Sequence, residues 1–160
     1  MNKRYNFYNL EASFKKFLIA ENVSPITLKN YLSDLRHFLG WTIIKLKAKN
    51  KNFLLENIDY LDFLKKIDES IVEEYKNYLL VNAIPVKTIN RRLSTIRKFF
   101  SFCINQGWLN KNPAKKVKNE VKSLDKERIL KSFQEDLEKE NLDENTIKNY
   151  LTTIREFLSL

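Results

Sequence analysis

The sequence contains few of the residues that normally mark turns. Only two glycines and three prolines occur in 160 residues, and apolar residues recur every three to four positions instead of every second one. Because a period near 3.6 places these side chains on one face of a helix, the sequence predicts an all-α protein. A chain of this length can form one compact domain and part of a second.

Cysteine and long apolar runs are equally scarce. The single cysteine, Cys103, excludes an internal disulfide and lies on the apolar face of a predicted helix. No run approaches the roughly 18 apolar residues that a membrane span requires. The first residues, Met-Asn-Lys-Arg-Tyr-Asn, lack the apolar segment of a signal peptide. These features predict a protein of the reducing cytoplasm that has no membrane partner.

Residues that carry catalytic chemistry are too few to form a recognisable active site. His37 is the only histidine and lies on a different predicted helix from Cys103, so no metal site is expected. Two glycines cannot build a phosphate-binding loop. We interpret acidic pairs such as Asp59 and Asp62 as solvated helix faces. His37 is interpreted as a surface or phosphate-contacting residue on the outer face of its helix. The sequence therefore predicts neither a cofactor nor catalysis.

Basic residues, by contrast, are concentrated in one segment. The net charge of the chain is +9, and residues 85–122 alone carry ten basic side chains and one acidic side chain. Residues 1–84 have a net charge of +3, and residues 123–160 have a net charge of −3. Positive charge gathered in one segment favours a polyanionic partner. This segment is therefore the first candidate for a nucleic-acid contact.

Residues 85–113 contain a predicted helix with two distinct faces. The apolar face is formed by Ile89, Leu93, Ile96, Phe100, Cys103 and Ile104. The opposite face carries Lys87, Asn90, Arg91, Ser94, Thr95 and Lys98. Positive charge beside short hydrogen-bonding side chains suits phosphates and base edges. We therefore expect the apolar face to join a core and the polar face to contact double-stranded DNA.

The chain also repeats one of its own segments. Ser13–Leu39 aligns without gaps on Ser132–Leu158, with 13 of 27 positions identical. A shorter pattern, T-[IL]-x-x-x-L-x-x-[IL]-R-x-F, begins at Thr27, Thr88 and Thr146. The third of these starts within the second copy of the long repeat. The sequence therefore predicts that one type of amphipathic helix is used three times.

The repeat separates scaffold residues from functional ones. Each copy has an arginine beside its apolar stripe, and these are Arg36, Arg97 and Arg155. An arginine present in all three copies is expected to support the scaffold. Only the middle copy makes its outer face strongly basic, with Lys87, Arg91 and Lys98.

Turn and capping signals order the predicted helices of the first half. A first helix is expected over about residues 10–21. A long second helix follows Ser24, which caps it, and Pro25, which suits its first turn. A helix over about residues 53–66 is expected to cover it. A third main helix, capped by Asp68 or Ser70, runs to about residue 81, with Tyr78 among its inward residues.

Similar signals order the second half. The basic helix ends near Gly107, and residues 114–122 are interpreted as a basic linker. A fifth helix capped by Ser123 or Asp125 is expected to end near residue 140. A sixth helix, capped by Asp143, begins near Glu144 and continues to the end of the sequence.

Two of these helices carry motifs in a distinctive order. They are K-T-I-N-R-R-L-S-T-I-R-K-F-F-S-F-C-I-N-Q-G-W-L-N-K-N-P-A, from residue 87, and S-P-I-T-L-K-N-Y-L-S-D-L-R-H-F-L, from residue 24. They resemble the last main helix and exit loop, and the second helix, of the core-binding domain of tyrosine recombinases. This domain is the SAM-like N-terminal domain of the phage integrase and Xer-type family. The resemblance covers roughly residues 10–118.

The resemblance implies a compact SAM-like bundle of four to five helices that grips one side of duplex DNA. The second and fourth main helices of such a domain lie against the major groove. Matched position by position, the second helix suggests Ser24, Thr27, Lys29, Asn30 and Ser33 as DNA-binding residues. The fourth main helix suggests Lys87, Thr88, Asn90, Arg91, Ser94, Thr95 and Lys98.

The chain departs from the family pattern in two places. The segment from about residue 41 to 66 is longer than the usual link and is predicted to hold an extra helix. The Arg, Lys, His/Arg and Tyr constellation of the catalytic domain is missing from the 47 residues after Pro113. We therefore expect no DNA cleavage. Residues 1–118 are interpreted as the DNA-binding domain, and residues 119–160 as a linker and a helix pair resembling the start of a second SAM-like unit.

Two functions remain open from the sequence. One is duplex DNA binding, either as the non-catalytic part of a recombinase or as a standalone binder. The other is a helical protein-interaction or dimerisation module in which residues 123–160 self-associate. Two helices cannot enclose a core, so their apolar stripe must be covered. That stripe consists of Ile147, Tyr150, Leu151, Ile154 and Leu158.

Overall fold

A computed structural model describes residues 5–50, 59–121 and 123–159. Within these ranges the chain forms helices and no strand, so the prediction of an all-α protein is confirmed. The helices are α1 (Tyr5–Ala20), α2 (Pro25–Lys49), α3 (Tyr60–Lys65), α4 (Glu69–Val81), α5 (Val86–Asn105), α6 (Ser123–Lys139) and α7 (Glu144–Ser159). The chain divides into unit 1, Met1–Asn119, and unit 2, Glu120–Leu160. None of the described helices is long and apolar enough to cross a membrane.

Unit 1 has an aromatic core between α2 and α5, which pack along each other. Helix α1 contacts α2, α3 and α5, and α4 contacts α2 and α5. The rings of Phe14, Phe38, Tyr75, Phe99 and Phe100 are completely buried. Several meet edge to face, the arrangement that the ring quadrupole favours. This packing fixes the orientation of α2 relative to α5.

Capping residues determine where most of these helices begin and end. The side chain of Ser24 accepts a hydrogen bond from the backbone N–H of Thr27 at 3.2 Å. Asp68 and Asp143 cap α4 and α7 in the same way. Gly107, with a φ of 73°, follows the end of α5. The caps predicted at Ser24, Asp68 and Asp143 and the predicted stop are therefore confirmed. The helix predicted to be capped by Ser123 or Asp125 begins at Ser123, and the side chains of both residues lie outside the described part of the structure.

The same turn joins the two helices of three helical hairpins, α1–α2, α4–α5 and α6–α7. Its central residues, Asn22, Ala83 and Asn141, adopt left-handed φ values of 54°, 53° and 53°. Each lies five residues before the threonine that opens the repeated pattern. The sequence repeat therefore corresponds to a complete helical hairpin, and not only to one helix.

The first two hairpins pack against each other through equivalent residues. Thr27 corresponds to Thr88, so each residue of α1–α2 corresponds to the residue 61 positions later in α4–α5. Two reciprocal ring contacts follow this rule, Phe14 with Phe99 at 5.3 Å and Tyr75 with Phe38 at 5.1 Å. Two hairpins in reciprocal contact are related by an approximate two-fold axis. This axis passes between α2 and α5.

Four predictions about unit 1 need correction. Helix α1 begins at Tyr5, earlier than predicted, and Tyr78 is exposed. The predicted helix over residues 53–66 is observed only as α3, while residues 51–58 lie outside the described residues. Residues 114–117 are not a free linker, because Ala114 and Val117 are buried in the core. The side chain of Asn112 also accepts a hydrogen bond from the backbone N–H of Ala114.

Unit 2 is a single hairpin in which α6 packs on α7. Among its described residues, Leu151 is the only buried apolar side chain, and it is still 8% exposed. Tyr150, predicted to belong to an inward stripe, is half exposed. The remaining apolar side chains of the stripe are only partly covered. The hairpin by itself therefore leaves much of its apolar surface open.

Candidate nucleic-acid interface

Side chains from the two predicted DNA-binding helices meet at a shallow cleft between α2 and α5. The cleft has a volume of about 240 Å³. Its walls are formed by Thr27, Asn30, Tyr31, Arg91, Ser94 and Thr95. All of these except Tyr31 were predicted from the sequence, although they come from helices separated by α3 and α4. The fold thus brings two separate groups of candidate residues to one place.

A buried carboxylate lies beneath this cleft. Asp34 is only 2% exposed, and its Oδ2 lies 3.0 Å from Nη1 of Arg91. The hydroxyl of Thr95 donates a hydrogen bond to the same oxygen at 3.2 Å. Nε of Arg92 lies 3.7 Å from Oδ1. Burial raises the pKa of Asp34, and the charge of Arg91 and the hydrogen bond from Thr95 oppose that rise.

Asp34 fixes the orientation of the Arg91 side chain, and the guanidinium group still has N–H donors that can bind an anion. A guanidinium group carries five N–H donors in a planar fork, and the Arg91 side chain remains 41% exposed. The carboxylate therefore restricts the side chain to the edge of the cleft while donors remain for an incoming anion. A pre-oriented side chain loses less conformational entropy on binding than a free one.

A second polar cluster lies next to Asp34 and joins α2 to α4. Nδ1 of His37 and the hydroxyl of Tyr75 share a hydrogen bond of 2.7 Å. Nη1 of Arg92 lies 3.3 Å from each imidazole nitrogen. Burial, and then the charge of Arg92, lower the pKa of His37, and burial raises the pKa of Tyr75. The predicted position of His37 on the outer face is therefore wrong, because its ring packs against Tyr75 and Tyr78.

Basic and polar side chains extend the surface on both sides of the cleft. Lys29, Ser33 and Lys87 are exposed, and neither lysine forms an ion pair with a described residue. Asn90 is half-buried. Lys98 differs from the other lysines, because its Nζ pairs with Glu21 and lies 5.5 Å from the ring centroid of Phe17. Part of its charge is thus already neutralised within unit 1.

Three of the predicted site residues have evident structural contacts. Ser24 caps α2 and shares a 2.8 Å hydrogen bond with the hydroxyl of Thr27. Thr88 is half-buried, and its backbone N–H donates to the carbonyl of Pro85 at 2.8 Å. Thr95 was predicted on the outer face of α5, and this placement is wrong. Its hydroxyl is drawn inward by Asp34 and by the carbonyl of Arg91.

Sequence reasoning missed Asp34 and Arg92. Asp34 lies at the position equivalent to Thr95, so the approximate two-fold axis places these two residues opposite each other. The available signal was an acidic residue close to the apolar stripe of α2. A buried carboxylate requires a cation or several hydrogen bonds, and the adjacent arginines of α5 were the natural candidates.

Two of the three arginines predicted to belong to the scaffold, Arg97 and Arg36, have structural partners in unit 1, whereas Arg155 is an exposed residue of unit 2. Nη2 of Arg97 donates to the carbonyl of Val117 at 2.7 Å and to Oδ1 of Asn119 at 2.8 Å. Nη2 of Arg36 lies 2.6 Å from Oε1 of Glu11. The contacts of Arg97 agree with its predicted role in the scaffold. Across the described segments, no three His, Cys, Asp or Glu side chains are grouped so as to hold a metal ion.

Comparison with known proteins identifies related sequences. Residues 12–107 match the family model described as phage integrase, N-terminal SAM-like domain. Tyrosine recombinase XerC of Halalkalibacterium halodurans is 28% identical over 93 residues, which cover 58% of this chain and 26% of XerC. Tyrosine recombinase XerD of Rickettsia bellii is 27% identical over 103 residues, which cover 64% of this chain and 29% of XerD.

A third relative matches over a longer segment. The TnP I resolvase of Bacillus thuringiensis is 28% identical over 160 residues, which cover 92% of this chain and 51% of the resolvase. The chain thus spans about half the length, or less, of these curated relatives. No solved structure shows a significant match.

The family match coincides with the helices that form the cleft. The matched residues 12–107 include the whole of α2, α4 and α5. The resemblance to the integrase family and the helical SAM-like fold are both confirmed. The matched region corresponds to the N-terminal domain of these proteins and not to a catalytic one. The chain therefore belongs to the family of phage integrase N-terminal SAM-like domains.

Proposed function

We propose that unit 1 binds duplex DNA through the surface of α2 and α5 around the cleft. In this role it is the non-catalytic part of a site-specific tyrosine recombinase or integrase. One observation carries the proposal. Candidate residues of two separate helices converge on one cleft, where a buried carboxylate orients the exposed side chain of Arg91. The names of the recombinase relatives support the same function.

The spacing of the side chains on α5 suits a DNA backbone. Lys87, Arg91 and Ser94 are separated by four and three residues, so they lie on one face about one helical turn, or roughly 5.4 Å, apart. A helix about 10–12 Å wide fits the major groove. Asn30 and Ser33 of α2 provide short donors and acceptors beside this row. Backbone contacts from the lysines would position the domain, while Asn30 and Arg91 could reach base edges.

Fluorescence anisotropy with a labelled duplex tests this proposal across a series of salt concentrations. Each neutralised phosphate releases counterions, so the affinity should fall steeply with salt. Arg91→Ala and Lys87→Ala should each weaken binding and reduce the magnitude of the salt slope by about 1. Lys98→Ala should have a smaller effect, because Glu21 already neutralises part of that charge.

Arg36→Ala provides the matched control. It also removes one positive charge from α2, but Arg36 pairs with Glu11 of α1 away from the cleft. Its salt slope should equal that of the wild-type chain. If Arg91→Ala and Lys87→Ala bind DNA as tightly as Arg36→Ala, the cleft is not the DNA-binding surface.

We also propose that these 160 residues bind DNA without cutting it. The family match covers an N-terminal domain, and the relatives are two to four times as long as the segments that align with them. Supercoiled plasmid should therefore remain intact at protein concentrations that saturate binding. Nicking or relaxation by the wild-type chain would contradict this second part of the proposal and leave the first part unaffected.

A further inference from the structure

The α6–α7 hairpin exposes an aromatic residue that the other two hairpins bury. Phe157 corresponds to Phe38 in α1–α2 and to Phe99 in α4–α5. Phe38 and Phe99 are completely buried, whereas Phe157 is 75% exposed. In unit 1, each of the buried rings packs on a ring of the opposite hairpin, Tyr75 or Phe14. Phe157 thus has the position of an inter-hairpin contact without the contacting hairpin.

A second position shows the same difference on the other helix of the pair. Ile129 of α6 is 46% exposed, whereas its equivalents Leu10 and Ile71 are buried. Phe133, the equivalent of Phe14, is half-buried, although Phe14 is completely buried. Three positions on two helices therefore define one unpaired face. In unit 1 the equivalent face is covered by another helical hairpin, so a hairpin is the shape that fits it.

Charge indicates which type of hairpin fits. The α6–α7 hairpin is of the α1–α2 type, with 13 of 27 positions identical, and Glu140 occupies the position of Glu21. Glu21 pairs with Lys98 of the opposite hairpin. A partner with a lysine in that register would therefore complement Glu140.

The same register disfavours pairing between two copies of α6–α7. The residue equivalent to Lys98 in this hairpin is Glu156. A symmetric pair would bring Glu140 of each copy to Glu156 of the other, and facing like charges are unfavourable. The chain also carries two described hairpins of the α1–α2 type and one of the α4–α5 type. That single α4–α5 hairpin is already covered by α1–α2. A complementary hairpin is therefore not available from further copies of these 160 residues.

We propose that Ile129, Phe133, Glu140 and Phe157 form a docking face for a helical hairpin of the α4–α5 type that is not part of these 160 residues. The partner hairpin would carry an aromatic residue in the register of Phe99 and a lysine in the register of Lys98. The face lies in unit 2 and the cleft lies in unit 1, so variants of the face test this proposal separately from DNA binding.

A peptide of residues 67–110, which contains α4 and α5, can serve as the probe. Because two helices alone cannot enclose a core, the folding of this peptide is coupled to its binding. Its binding to the complete 160-residue chain is measured by isothermal titration calorimetry. Phe157→Asp in the chain should weaken binding about tenfold or more, because central aromatic residues dominate such interfaces. The variant should keep the wild-type helicity, since the Phe157 side chain is largely exposed.

A charge-reversal cycle tests the register of the contact. Glu140→Lys in the chain should weaken binding of the wild-type peptide. Lys98→Glu in the peptide should restore binding to the Glu140→Lys chain and weaken binding to the wild-type chain. Such restoration identifies a direct pair, because independent sites show additive effects.

Three outcomes would overturn the proposal. The first is no detectable binding of the peptide to the wild-type chain. The second is equal binding to the wild-type and Phe157→Asp chains, which would mean that the peptide exchanges into unit 1. The third is a wild-type dimer in light scattering that Phe157→Asp converts to a monomer, which would assign the face to self-association.

Discussion

Asp34 is the residue on which the arrangement of the cleft depends. Asp34→Ala leaves the guanidinium groups of Arg91 and Arg92 without their counter-ion and removes the acceptor of the Thr95 hydroxyl. Removing one partner of a buried ion pair is strongly destabilising, so the free energy of unfolding should fall by about 3 kcal/mol. Urea denaturation measures this change.

Glu11→Ala is the matched control for Asp34→Ala. It removes the carboxylate partner of Arg36, an arginine that is largely exposed. An exposed ion pair contributes little to stability, so the free energy of unfolding should fall by less than about 1 kcal/mol. If both variants lost the same free energy of unfolding, burial of Asp34 would not determine its contribution to stability.

His37 is expected to make stability depend on pH. Its pKa in the folded state is lowered by burial and by Arg92, so below about pH 6.5 the unfolded chain takes up a proton first. The free energy of unfolding should therefore decrease as the pH falls below about 6.5, until the folded-state pKa is reached. His37→Gln should lack this contribution. An NMR titration of the single imidazole that gives a pKa above 6.5 would contradict the assignment.

Individual residues show how far the sequence alone can locate the site. The period of α5 correctly assigned Arg91 and Ser94 to its outer side, because apolar and charged residues separate cleanly on the helix. It placed Thr95 on the outer side as well, which is wrong, since threonine is compatible with either side. The contact that buries Thr95 comes from Asp34 on another helix. Cross-helix contacts of this kind are not encoded in the period of a single helix.

At the scale of the helices, the left-handed turn provides a test of the hairpin repeat. Ala83 has a φ of 53°, a conformation that disfavours residues with a Cβ atom. Ala83→Gly should therefore increase the free energy of unfolding by about 1 kcal/mol. Ala12→Gly in the interior of α1 should decrease it by about 1 kcal/mol. Thermal denaturation of both variants gives the comparison, and a loss of stability in Ala83→Gly would contradict the strained turn.

Helix positions were predictable where capping residues or glycine mark the ends. The caps of α2, α4 and α7 and the stop after α5 follow directly from the sequence. The packing of residues 114–117 on unit 1 was not predictable. Only Ala114 and Val117 are apolar in that lysine-rich segment. Their backbone is held by a hydrogen bond that Arg97 donates to the Val117 carbonyl and by one that the Ala114 N–H donates to Asn112, and both contacts depend on the folded core.

At the scale of the whole molecule, the two units should differ in local stability. Unit 1 has an extensive aromatic core, whereas Leu151 is the only buried apolar side chain among the described residues of unit 2. Amide protons of α6 and α7 should exchange faster than those of α2 and α5, because little buried surface opposes local opening. Hydrogen exchange measured by mass spectrometry tests this directly. Equal protection of both units would show that the α6–α7 face is already covered.

The two-fold relation within unit 1 has a consequence for the direction of binding. A DNA duplex has local two-fold axes that exchange its antiparallel strands, and symmetric proteins often align with them. On the proposed surface, Ser33 and Ser94 are equivalent and identical, so they would present the same hydroxyl to either strand. Asn30 and Arg91 are also equivalent but differ in charge. The backbone of the domain is thus close to symmetric. If the proposed surface binds DNA, Arg91 would determine the orientation of the domain on the duplex.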